Sequence, residues 1–127
     1  MKKEEIKKFL IKIQKEQHKI IDKFNISIEG SVCDTSSKFK DVISFYILNE
    51  NGIIKDISGK CGPCDPYAYI TINILSKILK GLKLKDIRLD NDEIYKRFVR
   101  ELGTEMDDDM RFHFETILKI VQEKVTS

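Results

Sequence analysis

The sequence has no tryptophan, two prolines, six glycines and three cysteines among its 127 residues. Three cysteines are too few, and odd in number, for a disulfide framework, so we expect thiolate or metal chemistry from them. The scattered glycines form no phosphate-binding loop. Serine, histidine and aspartate form no grouping typical of serine hydrolases. The cysteines therefore carry most of the functional information.

Charge and hydropathy exclude two further classes of protein. Lys and Arg number 23 against 21 Asp and Glu, and the pI is near 8.3, which is below the strongly basic balance of nucleic-acid-binding domains. No apolar run approaches the roughly 18 residues that span a membrane, and the N-terminus is charged where a signal peptide is apolar. The composition predicts one cytoplasmic domain, residues 1–127, without a nucleic-acid or membrane partner.

The N-terminal part, residues 1–24, predicts an amphipathic helix. Eight lysines against four acidic residues give this part an excess charge of +4. We interpret the lysines as a solvent face; a basic helix that binds a membrane surface or an acidic partner is the alternative. The apolar positions, mostly three or four residues apart, are Ile6, Phe9, Leu10, Ile13, Ile20, Ile21 and Phe24.

Residues 26–58 predict a three-stranded antiparallel meander. Apolar and polar side chains alternate in 26–32, which is typical of a strand with one buried face. Residues 41–48 are nearly continuous in apolar side chains, so both faces of this second strand are expected to be covered. The sequence Asn-Glu-Asn-Gly at 49–52 supplies a hairpin turn because asparagine and glycine tolerate positive φ. Residues 53–58 then return as the third strand.

Three helices are predicted in the remaining part, residues 61–127. Pro66 follows a capping aspartate, and glycines end the first two helices. Three aspartates from Asp107 onward suit the start of the last helix. The predicted helices cover 66–80, 92–102 and 107–125, with Asn91 or Asp92 capping the second and Ile94, Phe98 and Leu102 as its apolar stripe. The fold class is α+β: an N-terminal helix, a three-stranded antiparallel meander and three C-terminal helices packed on the sheet.

Cys61 and Cys64 form a Cys-x-x-Cys pair between the predicted third strand and the next helix. A helix N-terminus favours an anion, so Cys64 should ionise more readily than a free thiol. The spacing also suits a tetrahedral metal, and two buried, inert cysteines are the alternative. Cys-Gly-Pro-Cys is also the thioredoxin motif. A hairpin precedes it here, however, and no proline follows Pro66, which argues against a thioredoxin fold.

A longer resemblance covers residues 39–125. Its motifs are Asp41, the return strand Gly52-Ile53-Ile54-Lys55-Asp56, Cys64, and Lys80-Gly81. Together they resemble the U-type iron–sulfur cluster assembly scaffolds, the IscU and NifU N-terminal family. In that family Cys-Gly-Asp leads into a strand, Gly-Cys starts a helix that ends in Lys-Gly, and His-Cys opens the final helix. The resemblance implies a SufE/NifU-like fold and a role in cluster assembly.

The resemblance also implies a metal site in which one cysteine, Cys64, occupies a family position. Phe39 and Phe114 stand where the family has cysteines, whereas Cys61 and Cys33 are additional thiols. A [2Fe–2S] cluster needs about four ligands, commonly thiolates with histidine or carboxylate substitutes. The candidate ligands, as a Cys₃His or Cys₂HisAsp set for a cluster, for iron or for zinc, are Cys33, Asp41, Cys61, Cys64 and His113.

Two of these assignments have alternatives. A shifted register makes Cys33-Asp34 the remnant of the Cys-Gly-Asp motif, but it breaks the strand spacing, so Asp41 remains the first choice. A lone histidine beside an apolar stripe is more often a hydrogen-bonded boundary residue than a ligand. The ligand role of His113 therefore depends on the family match.

The sequence leaves three functions open. The first is a scaffold without turnover of its own, which binds iron, zinc or a cluster and, as the resemblance implies, works with a cysteine desulfurase and iron–sulfur apo-proteins. The second is a dithiol redox protein or persulfide sulfur acceptor that uses Cys61 and Cys64. The third is a metal-free interaction module, in which phenylalanines fill the former metal pocket and the basic first helix docks a partner.

Overall fold

The computed structural model describes residues 3–16, 20–31, 42–62 and 66–125. Within these ranges the α+β class is confirmed. The elements in chain order are α1 (Lys3–Glu16), β1 (Ile26–Ser31), β2 (Val42–Glu50), β3 (Ile53–Gly62), α2 (Pro66–Leu79), α3 (Leu84–Leu89), α4 (Asn91–Leu102) and α5 (Asp108–Val125). None of the described helices is long and apolar enough to cross a membrane.

The three strands form the predicted antiparallel meander, with β2 in the centre. The inner face of β2 is fully buried at Ile43, Phe45 and Ile47. The turn to β3 has positive φ at both Asn51 (55°) and Gly52 (79°), as in a type I′ hairpin. The hairpin prediction is confirmed, because these two residue types adopt the left-handed backbone at low cost.

β3 is longer than the predicted residues 53–58 and includes residues 59–62. The strand continues to Gly62 and pairs with β2 over its whole length. Gly59 lies inside the strand because α2 approaches it closely: a Cβ at this position would stand 2.5 Å from Ile72 Cγ2. The glycine marks a close approach of helix and sheet, and Cys61 consequently lies in the strand instead of a loop.

The N-terminal helix is shorter than the predicted residues 1–24. α1 ends at residue 16, and the segment 20–25 is not helical. Its backbone is fixed to the sheet instead, since the Ile21 N–H donates to Ser58 Oγ at 3.0 Å. The Asn25 side chain donates to the Asn49 carbonyl at 2.7 Å and accepts from the Asn49 N–H at 2.8 Å. Such side-chain bonds to backbone offer the chain an alternative to the helix.

The helices pack on the sheet as predicted, with one addition. α2 lies against β3, α5 against β1 and α2, and α4 against α2. Gly81 and Gly103 follow α2 and α4 with left-handed backbones, φ 89° and 81°, as predicted. The short α3 was not predicted, because its six residues are too few to show a helical period. α4 is capped by Asp90 instead of Asn91 or Asp92.

α1 has the predicted amphipathic character. Ile6, Phe9 and Leu10 pack against the buried core. The lysine side chains of α1 that the structure describes, Lys7, Lys8 and Lys12, are exposed. The core itself, between the sheet and the helices, includes Phe45, Phe98, Ile70, Ile72, Leu75, Ile94, Met110 and Ile117.

Candidate functional site

Three strand ends lie side by side at one end of the sheet. Ser31 at the end of β1 pairs with Val42 at the start of β2, and Val42 pairs with Gly62 at the end of β3. Adjacent strands are about 4.8 Å apart. These residues flank the segments 32–41 and 63–65 in the sequence. The chain therefore enters and leaves both segments at the same end of the sheet.

Three of the five candidate ligands belong to those segments. Cys33, Asp41 and Cys64 lie outside the described residues, as does Phe39. Within the described ranges no group of three or more histidine, cysteine, aspartate or glutamate side chains is arranged to hold a metal ion. The two described candidates, Cys61 and His113, are therefore considered separately below.

Cys61 is the next-to-last residue of β3. It pairs with Ile43, and directly opposed residues share a face of a sheet, so its side chain lies on the helix-covered face. It is partly buried against the core. The Cys61 sulfur is disulfide-bonded. The expectation of free thiols is thus not met at Cys61, and a ligand role requires reduction of this bond.

His113 is a buried residue in the first turns of α5, only 8% exposed. Its Nδ1 lies 2.7 Å from the Asp109 carbonyl oxygen. A carbonyl oxygen only accepts, so this contact assigns the proton to Nδ1 and leaves the Nε2 lone pair as the donor to a metal. An Nδ1–H bond to a backbone carbonyl is a common way to orient a metal-ligating histidine.

Tyr67 connects the start of α2 to the start of α5, and the sequence analysis did not identify it. Its ring stacks on His113 with a centroid distance of 5.7 Å and an angle of 19°. Its hydroxyl donates to Asp107 Oδ2 at 3.3 Å. The only sequence signal was its position three residues after Cys64.

Asp107, which accepts the hydrogen bond from the Tyr67 hydroxyl, lies directly before α5. Its Oδ1 accepts from the Met110 N–H at 2.8 Å, so it caps α5 in the way that the aspartate run predicts. Burial raises the pKa of the Asp107 carboxyl, but hydrogen bonds from the Met110 N–H and the Tyr67 hydroxyl help to hold it below its ordinary value. One carboxylate thus serves the α5 cap and the Tyr67 anchor.

We expect Asp107→Ala to lower the free energy of unfolding by about 1 kcal/mol at neutral pH, since a helix cap is lost. Because the carboxyl pKa is lowered in the fold, its contribution is present above the ordinary value and disappears as the pH falls through the lowered one. Urea unfolding at neutral pH and at pH about 3 should therefore show a larger difference at neutral pH than at the acidic pH. Asp108→Ala, an exposed neighbour, is the control; an equal loss there would contradict the assignment.

Phe114 does not face the Tyr67 contact. Its ring lies 4.7 Å from that of Phe98 and 6.0 Å from that of Tyr95, and it is buried between α4 and α5. The resemblance places a family cysteine at this position. In the present fold, however, the side chain at 114 belongs to the helix interface.

The chain's similarity to known proteins is seen at the level of structure. A scan against protein-family models and a search of curated proteins find no match. Among solved structures, the chain is similar to one described as an iron–sulfur cluster assembly scaffold protein for the SUF system, from the thermophilic Fervidobacterium islandicum AW-1. Identity is 18%, the match covers 92% of this chain and 93% of that one, and the TM-score is 0.58. At this identity the likeness establishes the fold.

Proposed function

We propose that this chain is an iron–sulfur cluster assembly scaffold that holds iron or a cluster as its cargo at the end of the sheet. The observation that carries the proposal is the register Ser31–Val42–Gly62. The segments that contain three of the candidate ligands adjoin these paired strand ends in the sequence, which supports the proposal. The stack of Tyr67 on His113 adds the start of α5 to the same end, because Tyr67 lies in the first turn of α2.

The reach of the chain supports this convergence. Cys33 follows Ser31 by two residues, Asp41 directly precedes Val42, and Cys64 follows Gly62 by two. Each of the three ligands is therefore no more than two residues along the chain from a strand end that pairs with its neighbour.

The donor chemistry of the five residues fits such a cargo. Thiolates favour iron, zinc and iron–sulfur clusters, and a neutral imidazole nitrogen is a common replacement for one of them. Cys64, reduced Cys61 and the Nε2 of His113 supply this set, and Cys33 or Asp41 completes it. The two family cysteines that are replaced by phenylalanine are thus compensated by thiols at new positions.

The proposal extends to the partners that this role requires. Cargo sulfur comes from a cysteine desulfurase, and the assembled cluster passes to an iron–sulfur apo-protein in the cytoplasm. The chain has no turnover of its own in this role. The exposed lysines of α1 offer an acidic protein partner a surface outside the ligand end.

Anaerobic reconstitution tests the proposal. The chain is first reduced, because Cys61 is disulfide-bonded, and is then incubated with ferrous iron and sulfide and desalted. We expect charge-transfer absorption in the visible range and protein-bound iron. His113→Gln should lower the iron content, whereas Glu115→Gln, an exposed change on the same helix, should not. A colourless reduced chain without bound iron would refute the scaffold and favour the metal-free interaction module.

A second candidate function is supported by the disulfide at Cys61. In this role two thiols give up two electrons and two protons to a disulfide acceptor and form the bond, or Cys64 accepts persulfide sulfur from a desulfurase. The reduction potential of the disulfide that contains Cys61 distinguishes redox cycling from a structural role of this bond. A potential near that of the cytosolic glutathione pool favours redox cycling, whereas a far lower one makes the disulfide structural.

A further inference from the structure

We infer that Tyr67 is a positioning residue that sets the orientation and tautomer of His113 for metal binding. The inference rests on the proposed function for its purpose, although the contacts themselves do not. Tyr67 is not a ligand in this proposal. It acts on the imidazole through ring stacking, and on α5 through Asp107.

The Tyr67 side chain is anchored by its hydroxyl, and the Tyr67 backbone lies in the first turn of α2. Its hydroxyl donates to Asp107 Oδ2, while the other oxygen of that carboxylate caps α5 through Met110. The Tyr67 carbonyl accepts from Thr71 Oγ1 at 2.7 Å within α2. The phenol ring therefore spans from one helix start to the other in a defined orientation.

This orientation confines the imidazole. The two rings are nearly parallel, at 19°, with centroids 5.7 Å apart, an offset stack of the kind that aromatic rings favour. The stack occupies one face of His113, and the Asp109 carbonyl occupies its Nδ1 edge. Nε2 is then the ring nitrogen that remains to coordinate a metal. The Phe112 ring also contacts the imidazole, edge-on, with a centroid distance of 5.4 Å. Without the Tyr67 stack we expect the imidazole to rotate more freely about χ2, so that the Nδ1–H bond loses its alignment.

The variants separate the ring from the hydroxyl. Tyr67→Leu removes the stack, and Tyr67→Phe keeps the ring but removes the bond to Asp107. Tyr69→Leu is the matched control, because Tyr69 lies on the same helix and is also partly buried, whereas the rings found against His113 among the described residues are those of Tyr67 and Phe112. Far-UV circular dichroism verifies that each variant is folded.

Two measurements are made on each reduced chain. The first is nitrogen-15 NMR of the His113 ring without metal, which reports the tautomer. We expect the Nδ1–H tautomer in the parent and in Tyr69→Leu, and a mixture in Tyr67→Leu. The second is the dissociation constant for Zn²⁺ alone, which we expect to rise about tenfold in Tyr67→Leu, as for other partners that orient a ligating histidine. For Tyr67→Phe, the fraction of the Nδ1–H tautomer and the dissociation constant for Zn²⁺ should both lie between those of the parent and those of Tyr67→Leu.

A histidine control completes the test. If Tyr67 acts through His113, Tyr67→Leu should add almost nothing to the affinity already lost in His113→Gln. An unchanged tautomer in Tyr67→Leu would overturn the inference. An unchanged Zn²⁺ affinity in Tyr67→Leu would also overturn it if His113→Gln lowers that affinity. A parent-like Zn²⁺ affinity in His113→Gln would overturn it as well. If the parent binds neither Zn²⁺ nor iron, the proposed function fails, and the tautomer measurement alone decides whether Tyr67 positions the ring.

Discussion

Cys64→Ser is expected to reduce the iron retained after anaerobic reconstitution at least about tenfold. The loss of a metal ligand should lower metal affinity at least as much as the loss of a residue that orients a ligand. A serine hydroxyl is not ionised at neutral pH and is a poor ligand for iron that prefers thiolate. Cys64 also precedes the first residue of α2 by two positions, where the helix N-terminus stabilises an anion. Iron analysis and visible absorption of the desalted protein measure the effect.

Cys33→Ser is the matched control, since it removes one thiol in the same way. If Asp41 is the surviving member of the family motif, this variant should retain more iron than Cys64→Ser. If both variants lose iron equally, the register in which Cys33-Asp34 replaces Asp41 gains support. Parent-level iron in Cys64→Ser would show that the family match does not carry the function.

The parts of the fold that sequence reasoning predicted are those with strong local signals. Asn51 and Gly52 specify a hairpin turn by their backbone preference, and the structure has positive φ at both. Pro66 and Gly81 bracket α2 because one favours the first helical position and the other the position after the last. Such signals act within a few residues, so the sequence alone contains them.

The parts that were predicted wrongly depend on contacts between distant segments. Segment 20–25 continues the apolar spacing of α1, yet its hydrogen bonds go to Ser58 and Asn49 on the sheet. β3 was predicted to end at residue 58, whereas it continues through Gly59, which permits the approach of Ile72. Neither partner can be identified from local sequence, because the contacts form only once the sheet and helices are packed.

The candidate site shows the same division. His113 was identified from its family match, and the structure adds an orientation that suits a ligand. Tyr67 has no motif, and its role follows from a ring contact between residues 46 positions apart. The disulfide at Cys61 was not expected either, since counting cysteines gives no information about which sulfurs are adjacent in the fold.

Gly59→Ala is expected to lower the free energy of unfolding by about 3 kcal/mol, at the upper end of the usual cost of overpacking. The new methyl group would stand 2.5 Å from Ile72 Cγ2 and 3.1 Å from the Phe45 ring. Both neighbours are fully or almost fully buried and have no space into which to move. Thermal unfolding of the reduced chain, followed by circular dichroism, should show a fall of about 10 °C in the midpoint.

Gly30→Ala is the control, because a methyl group there meets only the Ile120 side chain, at 2.9 Å. Ile120 is only partly buried and can turn away, so we expect a loss below about 1 kcal/mol. Ile72→Ala removes the methyl group that Gly59→Ala would strike. The double variant should therefore lose less than the sum of the two single losses by about 1–2 kcal/mol. Additive losses would mean that α2 can move away from β3 without cost. The position of α2, which places Tyr67 against His113, would then depend on other contacts.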